Sequence, residues 1–445
     1  MKRITVIFLG CPKNFVDTES LLAVLKQAGY TFVTEPERSE IALLTTCAFI
    51  RSARRETYEK IRELIKLKEK GKLKRILVFG CLVQQEKEKL LRRFPAVDHF
   101  VGLDYLPKVP EIIESQRRII YKNNPSFLSF PRYRQTISYA YLKISEGCAN
   151  FCSYCRIPFL RGNYRSRPMP EILREAEAIA KTGIKEVILV SQDSTLYGID
   201  LYHSPKLHIL LKKLAKIKGI EWLRLLYTHP AHIYSELLAV IRNEEKVLKY
   251  IDLPLQHISD KILSLMGRGY LRRDVEKVID QLQSIPNMVI RTTFIIGFPN
   301  ESERDFQELV DFVRKRRFDH IGCFLYSREK STPAYYLSPS LPYKVKKERR
   351  KILLECQKKI SAEKLRSLIG SEMAVMVDGM VDKGKYHYFG RTYRDAPEID
   401  GLVFISGEDL AMAQIYPMRI TSATAYDLFA ERIMAPRGFE PRSQG

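Results

Sequence analysis

Three cysteines are spaced in a way that suits a metal cluster. Cys148, Cys152 and Cys155 form the pattern C-x-x-x-C-x-x-C, the CxxxCxxC triad, in a chain where cysteine fills only 8 of 445 positions. Two partners at fixed offsets arise by chance for roughly one cysteine in three thousand, so the group needs a chemical explanation. Thiolates bind zinc, copper(I) and iron–sulfur clusters, but a zinc site would need a fourth nearby cysteine or histidine, and none follows within twenty residues. Three thiolates can instead hold three irons of a four-iron cluster and leave the fourth iron open.

Three further cysteines, the strand-end triad, each follow a short β-rich stretch at its carboxyl end. The pairs are Cys11 after Ile4–Leu9, Cys47 after Ile41–Thr46 and Cys81 after Arg75–Gly80. In a parallel doubly wound sheet the carboxyl ends of the strands share one edge, so these thiols would converge and bind a second cluster. The alternative is three unrelated buried thiols, since free cysteine is often a core residue. Cys323 and Cys356 have no partner at metal spacing and are predicted to be core thiols.

The first 120 residues alternate strand and helix patterns. Helical spacing covers Thr18–Ala28, Ala53–Lys70 and Gln84–Arg93. Alternation of this kind predicts a parallel sheet with helical crossovers, here an N-terminal doubly wound α/β domain over residues 1–120. Residues 121–134 contain Asn123, Pro125 and several basic side chains, which predicts a linker.

Residues 135–368 repeat the strand–helix alternation six times. The predicted strands are Tyr139–Ile144, Glu186–Val190, Trp222–Tyr227, Tyr250–Leu253, Val289–Ile296 and His320–Tyr326. Six such units predict a partial or full β/α barrel of the TIM type, although a doubly wound sheet would give the same pattern. The CxxxCxxC triad follows the first of these strands, where the active-site loops of β/α barrels gather. A long amphipathic helix, Lys344–Leu368, leads out of this region.

After Gly370 the pattern changes to short alternating strands. They are predicted at Ala374–Val377, His387–Thr392, Gly401–Ile405 and Met412–Ile420. This spacing predicts a small C-terminal β-barrel over residues 369–434. Residues 435–445 have no apolar periodicity and are predicted to be a disordered tail.

The chain is strongly basic, with 74 basic and 52 acidic residues and a net charge of +22. Such an excess indicates a polyanionic neighbour such as RNA, DNA or a ribosome, or else only a solvated basic surface. No apolar run approaches the roughly 18 residues that span a bilayer, and Ile4–Leu9 is too short for a signal peptide. We therefore expect a cytoplasmic protein without a membrane partner, whose cysteines are thiols or metal ligands rather than disulfides.

The two triads and the residues around them resemble the radical S-adenosylmethionine methylthiotransferase family over essentially the whole chain. The similar segments are Gly10–Asn14 with Asp17–Glu19, Thr46–Ile50, Gly80–Cys81 with Gln84, Ser145–Pro168, Leu253–His257, Thr293–Pro299 and Tyr326–Ser327. Thr45 stands where the family usually has asparagine. The C-terminal β-domain is similar to the TRAM module.

This resemblance implies two four-iron clusters and S-adenosylmethionine as cofactors. The CxxxCxxC triad would hold the cluster that cleaves adenosylmethionine to a 5′-deoxyadenosyl radical, because an unactivated C–H bond cannot be broken by acid–base chemistry near neutral pH. The strand-end triad would hold the cluster that carries the sulfur, and a second adenosylmethionine would donate the methyl group. Candidates to contact adenosylmethionine are Gln192, Asp193, Gln256 and Thr293, although each could equally be a capping or core polar group. His257 is expected to be a structural neighbour rather than a catalytic base.

The family has two branches with different substrates. MiaB-like members modify a tRNA adenosine, and RimO-like members modify the β-carbon of an aspartate in small-subunit ribosomal protein S-twelve (uS12). Ser191–Ser194, Tyr197–Gly198 and, more specifically, Asp395–Gly401 resemble the RimO form. Tyr227–Pro230 departs from it and leans toward the tRNA branch.

Charge in the terminal domain favours the protein substrate. Between Gly370 and Ala430 there are five basic and nine acidic residues, a net charge of −4. An acidic surface repels phosphates and attracts a basic ribosomal protein. Asp395, Glu398 and Asp400 lie in a turn-rich segment, so we expect exposed carboxylates that bind the substrate.

The implied partners are therefore uS12 or the small ribosomal subunit, with tRNA less favoured, and a reductant such as flavodoxin or ferredoxin. A non-catalytic iron–sulfur protein that binds RNA is the rival from another class. It would explain the basic charge but not the position of the CxxxCxxC triad after the first barrel strand.

Overall fold

The computed structural model describes residues 2–48, 50–122, 131–337 and 341–433. The predicted tail, 435–445, and residues 123–130 of the predicted linker lie outside these ranges.

The N-terminal domain is built on a six-stranded parallel sheet with strand order β2-β1-β3-β4-β5-β6. Its strands are β1 (Arg3–Phe8), β2 (Thr31–Phe32), β3 (Ile41–Thr46), β4 (Arg75–Gly80), β5 (His99–Val101) and β6 (Ile119–Ile120). Its helices are α1 (Pro12–Gln27), α2 (Arg51–Glu69), α3 (Cys81–Glu86), α4 (Lys89–Arg93) and α5 (Val109–Ile113). The order reverses between β1 and β3, which makes the sheet doubly wound, as predicted. In such sheets ligands bind at the carboxyl ends of the strands beside this reversal.

The central region is a second parallel sheet of six strands arranged in the order in which they occur along the chain. They are β7 (Tyr139–Lys143), β10 (Glu186–Val190), β11 (Trp222–Leu225), β12 (Val247–Asp252), β13 (Val289–Ile296) and β14 (His320–Leu325), and a ribbon of β8 (Ser145–Glu146) and β9 (Arg165–Ser166) follows β7. Because the order never reverses, this sheet is a partial barrel and not a doubly wound sheet. The structure thus resolves the ambiguity that periodicity left.

Eight helices of the described chain accompany this sheet. They are α6 (Ile157–Arg161), α7 (Met169–Lys181), α8 (Ile199–Tyr202), α9 (Leu207–Ala215), α10 (Ser235–Asn243), α11 (Asp260–Met266), α12 (Arg272–Gln283) and α13 (Glu303–Arg316). Their apolar faces and the outward side chains of the strands form one continuous core. Local signals match these positions, since Ser302 caps α13 through a capping box with Asp305.

The long helix α14 (Tyr343–Arg366) leads to a closed five-stranded barrel. Its strands are β15 (Glu372–Lys383), β16 (Tyr386–Thr392), β17 (Val403–Ser406), β18 (Ile415–Ala423) and β19 (Leu428–Arg432). The small β-barrel is confirmed. The sequence pattern yielded four of these strands and missed β19, which closes the barrel by pairing with both β17 and β18.

The terminal barrel is joined to the central sheet near the amino ends of its strands by a buried set of ion pairs. This amino-end network consists of Glu186, Arg224, Asp378 and Arg391. Glu186 pairs with Arg224 at 2.6 Å and with Arg391 at 2.7 Å, and Arg391 also pairs with Asp378 at 2.6 Å. Two negative and two positive side chains therefore compensate one another inside this joint.

The described end of the predicted linker is anchored rather than loose. Arg132 is buried and pairs with Glu19 of α1 at 3.0 Å, and Arg134 pairs with Glu175 of α7 at 3.2 Å. These pairs join α1 to α7 and thereby orient the N-terminal domain against the central sheet. Within the described residues, no helix combines the length and apolarity that crossing a membrane requires.

Candidate iron–sulfur and adenosylmethionine site

The strand-end triad lies at the ends of three adjacent strands. Cys11 precedes α1 after β1, Cys47 follows β3, and Cys81 is the first residue of α3 after β4. The Sγ atoms of Cys11 and Cys81 both lie 3.8 Å from the side-chain oxygen of Asn14. The topology therefore brings Cys11 and Cys81, which are 70 positions apart, to the side chain of Asn14. Cys11 and Cys47 follow β1 and β3, the two strands between which the strand order reverses.

Glycines allow the backbone to turn sharply just before two of the cysteines. Gly80 precedes Cys81 with a φ of 109°, and Gly147 precedes Cys148 with a φ of 78°. Both values fall in the region that favours glycine. A Cβ on Gly147 would lie 2.0 Å from the carbonyl oxygen of Asn163, so no side chain fits there.

The CxxxCxxC triad follows β7 and β8 in a loop closed by α6. Arg268 donates to Cys152 Sγ at 3.3 Å, and the Ile157 amide donates to Cys155 Sγ at 3.4 Å. Burial raises the pKa of the Cys148 thiol to about 11 and that of Cys155 to about 12, and the neighbouring Cys152 thiolate contributes to both. Three such thiolates are held together only if a cation offsets their charge, so this donor set fits a metal cluster.

A buried set of polar side chains joins the two triads. This carboxyl-edge network consists of Asn14, Asp17, Lys143, Glu146 and Arg161. Lys143 donates to Asp17 at 2.7 Å and to Glu146 at 2.8 Å, and Arg161 donates to Asp17 at 2.7 Å, to Glu146 at 3.2 Å and to the Asn14 oxygen. Asp17 and Asn14 belong to α1 beside Cys11, whereas Glu146 and Arg161 flank the CxxxCxxC loop.

Electrostatics tie this network to the cysteines. Burial acts to raise the pKa of Glu146, but the charges of Lys143 and Arg161 outweigh it and hold the pKa at about 2. Burial acts to lower the pKa of Arg161, but the thiolate form of Cys81 and the carboxylates raise it well above its usual value. Arg161 is therefore a permanent cation that faces a thiol of the other domain. The sequence analysis missed Lys143, although a lysine in an otherwise apolar strand was a usable signal.

Of the four candidates for contacting adenosylmethionine, Gln192 and Asp193 follow β10, Gln256 follows β12, and Thr293 lies within β13. Gln192 donates to Glu146 at 2.8 Å, and its buried side-chain oxygen has no partner among the described residues. Gln256 has a φ of 70° and pairs with Phe294 of β13, and Thr293 is a buried residue of the same strand. Asp193 is instead committed to protein partners, since it accepts from Asn150 at 2.8 Å and from Thr195.

Asp193 also belongs to a group that sequence reasoning missed. It lies 2.8 Å from His232 Nδ1, and His229 stacks on His232, so the three residues are close enough to share an ion. However, His229 Nδ1 accepts the Ala231 amide, which leaves the proton on Nε2 and no lone pair there for a metal. Burial lowers the pKa of His229 to about 2. The group therefore acts as a hydrogen-bonded support for the CxxxCxxC loop through Asn150.

His257 shows the same arrangement. Its Nδ1 accepts the Ser259 amide at 3.0 Å, and burial lowers its pKa to about 3. The neutral, hydrogen-bonded imidazole of His257 agrees with the expectation that this residue is a structural neighbour rather than a catalytic base. Cys323 and Cys356 are partly buried and pack against the core of the central region.

The expectation that Asp395, Glu398 and Asp400 expose their carboxylates is wrong for two of the three. Asp395 is 5% exposed and accepts from Thr392, and Asp400 accepts from Tyr250 at 2.7 Å and from Arg291 at 3.2 Å. Only Glu398 of the three is exposed, and it accepts from Tyr139. The turn residues do form a turn, but it is pressed against the amino ends of the central strands. The Asp395 and Asp400 carboxylates therefore stabilise the joint between the domains, at the end of the sheet opposite the cysteines.

Comparison with known proteins matches three regions of the chain. Residues 3–102 match the Uncharacterized protein family UPF0004, residues 142–313 match the Radical SAM superfamily, and residues 369–433 match the TRAM domain. A protein of Thermoanaerobacter sp. named ribosomal protein uS12 methylthiotransferase RimO is 43% identical over 439 residues, which cover 97% of this chain and 100% of that protein. The protein of the same name from Geobacter sulfurreducens is 41% identical, over 97% of this chain and 99% of its own length.

The chain belongs to the RimO family of radical S-adenosylmethionine methylthiotransferases. It is thus an enzyme of this class, and an iron–sulfur cluster and S-adenosylmethionine are the cofactors that the class uses. The assignment agrees with the branch that Asp395–Gly401 and Ser191–Ser194 indicated. Tyr227–Pro230, which leaned toward the tRNA branch, does not decide the membership of the whole chain.

Solved structures support the fold. The radical S-adenosylmethionine methyltransferase TsrM from Kitasatospora setae, with cobalamin and a 4Fe–4S cluster bound, superposes with a TM-score of 0.55 at 14% identity, covering 75% of this chain and 77% of that chain. The cobalamin-dependent radical enzyme OxsB superposes with a TM-score of 0.51 at 12% identity, over 80% of this chain and 56% of that one. At such identities the likeness concerns the fold alone.

Proposed function

We propose that this chain adds a methylthio group to the β-carbon of an aspartate of ribosomal protein uS12. The observation that carries the proposal is the 43% identity to a so-named methylthiotransferase over that protein's whole length. The network of buried hydrogen bonds that connects the residues beside the two cysteine triads supports it, because carbon activation and sulfur transfer must act on one substrate atom. We expect the reaction to take place in the cytoplasm.

The cofactor complement that we propose is two four-iron clusters per chain, one on each triad. When bound, the clusters and adenosylmethionine supply the radical that removes hydrogen from the substrate carbon, together with the sulfur and the methyl group. The chain's own side chains stabilise the ligands. Arg268 donates to Cys152 Sγ, and the Arg161 cation faces Cys81, so each triad has one guanidinium that offsets thiolate charge.

The proposed contacts to adenosylmethionine come from Gln192, Gln256 and Thr293. The unpartnered oxygen of Gln192 is a hydrogen-bond acceptor that suits an ammonium or hydroxyl group. Asp193, whose carboxylate is held by Asn150 and His232, would instead fix the CxxxCxxC loop.

The partners that we propose are uS12, free or within the small ribosomal subunit, and a one-electron donor such as flavodoxin or ferredoxin. The terminal domain carries a net charge of −4, which disfavours tRNA phosphates and suits a basic protein. The basic remainder of the chain suits the polyanionic RNA of a ribosomal subunit.

The direct test is the intact mass of uS12 after anaerobic incubation with the reconstituted enzyme, adenosylmethionine and a reductant. We expect a gain equal to a methylthio group less one hydrogen, located on one aspartate by fragmentation. Cys148→Ala should abolish this gain, whereas the control Cys323→Ala, a thiol in β14 that belongs to neither triad, should retain it. If tRNA nucleosides gain methylthio groups and uS12 does not, the substrate assignment is wrong.

A further inference from the structure

One lysine crosses from the N-terminal domain to the edge of the central sheet. Lys13 is two residues after Cys11, in the first turn of α1. Its Nζ donates to the Ser191 carbonyl at 3.1 Å and lies 3.6 Å from the centroid of the Tyr227 ring. Ser191 directly follows β10, and Tyr227 comes two residues after the end of β11. Only 8% of Lys13 is exposed, so its ammonium is buried where the two domains meet.

This ammonium differs from the other buried cations at the same edge. Lys143 and Arg161 each pair with both Asp17 and Glu146, and Arg268 donates to a thiol of the CxxxCxxC triad. Among the described residues, no carboxylate lies within 4.0 Å of Lys13 Nζ. The Ser191 carbonyl and the Tyr227 ring offset a desolvated ammonium only in part. The Lys13 ammonium is also close enough to the Cys148 thiol of the CxxxCxxC triad to act against the rise that burial causes in the pKa of that thiol. The site is therefore electrostatically suited to an anionic ligand.

The ring beneath Lys13 is held in an unusual backbone conformation. Tyr227 has a φ of 59°, in the left-handed region that residues other than glycine rarely adopt. Its amide donates to Asp252 at 3.1 Å, and its carbonyl accepts the Ser194 amide at 2.8 Å. Burial raises the pKa of the Tyr227 hydroxyl, and the Cys11 thiolate adds to the rise, which places the ring beside the strand-end triad. This strained backbone conformation places the Tyr227 ring next to the Lys13 ammonium.

We propose that Lys13 binds the side-chain carboxylate of the substrate aspartate and so selects an acidic residue for modification. This inference rests on the proposed function. In aspartate the β-carbon is bonded directly to the carboxylate carbon, so a cation that holds the carboxylate fixes the reacting carbon one bond away. Lys13 is two residues after Cys11 of the strand-end triad. Its ammonium contacts Ser191 and Tyr227, which follow β10 and β11 of the central sheet. It would thereby hold the β-carbon between the two triads, as a specificity-determining residue.

The test compares binding of uS12 with binding of a uS12 variant whose target aspartate is asparagine. The probe is fluorescently labelled uS12 titrated with reconstituted full-length enzyme in the presence of adenosylmethionine, with methylthiolation rates as a second readout. For the wild-type enzyme we expect tighter binding of the aspartate form. In Lys13→Met this preference should fall by at least about tenfold, because binding of the aspartate form weakens while binding of the asparagine form does not change. Lys13→Arg should restore part of the preference.

Lys26→Met is the matched control. Lys26 is on the same helix and also lies over a tyrosine ring, 4.3 Å from the centroid of Tyr133, but it is exposed and outside the site. It should leave the preference unchanged. Iron content and a melting curve for every variant identify any that fail to assemble, in which case Lys13→Arg carries the comparison.

Three results would overturn the inference. If Lys13→Met weakens the binding of both forms of uS12 equally, Lys13 only holds the two domains together. If it weakens adenosylmethionine binding and keeps the preference for aspartate, the ammonium serves the cofactor. If the wild-type enzyme does not modify uS12 at all, the proposed function fails and the inference fails with it, a result that is distinct from the other two.

Discussion

Two buried ion networks join the domains of this chain, and they differ in what lies beside them. The carboxyl-edge network (Asn14, Asp17, Lys143, Glu146 and Arg161) connects the N-terminal domain to the central sheet, and the amino-end network (Glu186, Arg224, Asp378 and Arg391) connects that sheet to the terminal barrel. Each contains two carboxylates and two cations. The first lies between two cysteine triads and next to an ammonium without a carboxylate partner among the described residues. The second is bordered by two tyrosine rings, that of Tyr250 beside Arg224 and that of Tyr139 beside Arg391.

The comparison shows that burial and ion pairing do not by themselves mark a functional site. A cleft of about 330 Å³ at the amino end is lined by Arg291, His320 and Asp400, yet Asp400 already lies 3.2 Å from Arg291 and 3.6 Å from the His320 ring. At the carboxyl edge, by contrast, the Gln192 oxygen has no hydrogen-bond partner among the described residues, and none of their carboxylates lies within 4.0 Å of Lys13 Nζ. The two ends differ in the groups beside each network, which are cysteine thiols and the Lys13 ammonium at the carboxyl edge and paired carboxylates and guanidinium groups at the amino end.

The largest effect is expected from Arg161→Met, which breaks the carboxyl-edge network. Asp17 and Glu146 would share only Lys143, so the free energy of unfolding should fall by about 3–5 kcal/mol. The strand-end triad should also lose iron, because Arg161 is the cation that faces Cys81. Urea denaturation and iron analysis measure the two effects. If the variant is less stable but keeps its full iron content, the carboxyl-edge network does not support iron binding by the strand-end triad.

The counterpart at the amino end is Arg391→Met. This change leaves Asp378 without its guanidinium and Glu186 with one cation, and it should also cost about 3–5 kcal/mol. The iron content and the cleavage of adenosylmethionine should stay at wild-type levels, because the change lies at the opposite end of the sheet. If iron is lost from the folded Arg391→Met protein, the two ends are coupled and the distinction between them is wrong.

A smaller effect is expected from Asp400→Asn. The buried Asp400 carboxylate accepts from Tyr250, Arg291 and the Ala396 amide, so removing its charge should cost about 1–3 kcal/mol. Binding of uS12 at any salt concentration should not change once the protein is folded. A salt-dependent loss of uS12 binding would instead show that Asp400 contacts the substrate, which its buried position argues against.

The smallest effect is expected from Glu398→Gln at the exposed position of the same turn. The amide oxygen can still accept from Tyr139, so the change in stability should lie within about 0.5 kcal/mol. A thermal melt beside that of Asp400→Asn measures the difference. Equal destabilisation by the two variants would show that Glu398 is part of the joint.

The sequence predicted much of the fold because its patterns are local. Alternation of strands and helices located both sheets, and the strand-end position of Cys11, Cys47 and Cys81 predicted that they would meet. Periodicity could not choose between a partial barrel and a doubly wound sheet, because only the order of strands in space distinguishes them. It also missed β19, whose five residues have little periodicity of their own.

The site was less accessible to sequence reasoning because its parts come from distant segments. Asn14 and Arg161 are 147 residues apart, and no local pattern indicates that they touch. The exposure predicted for Asp395 and Asp400 failed for a related reason. Pro397 and Gly401 do indicate a turn, but a turn can be buried when another domain covers it, and that contact depends on Tyr250 and Arg291, far away in the chain.

The most direct test of the central claim, that two cysteine triads meet at the carboxyl edge and hold two clusters, is iron analysis of three anaerobically reconstituted proteins. The wild type should bind about eight irons per chain, and the triple alanine variants of the CxxxCxxC triad and of the strand-end triad should each bind about four. Only the strand-end variant should still cleave adenosylmethionine to 5′-deoxyadenosine. A strand-end variant that keeps the full iron content of the wild type would contradict the account.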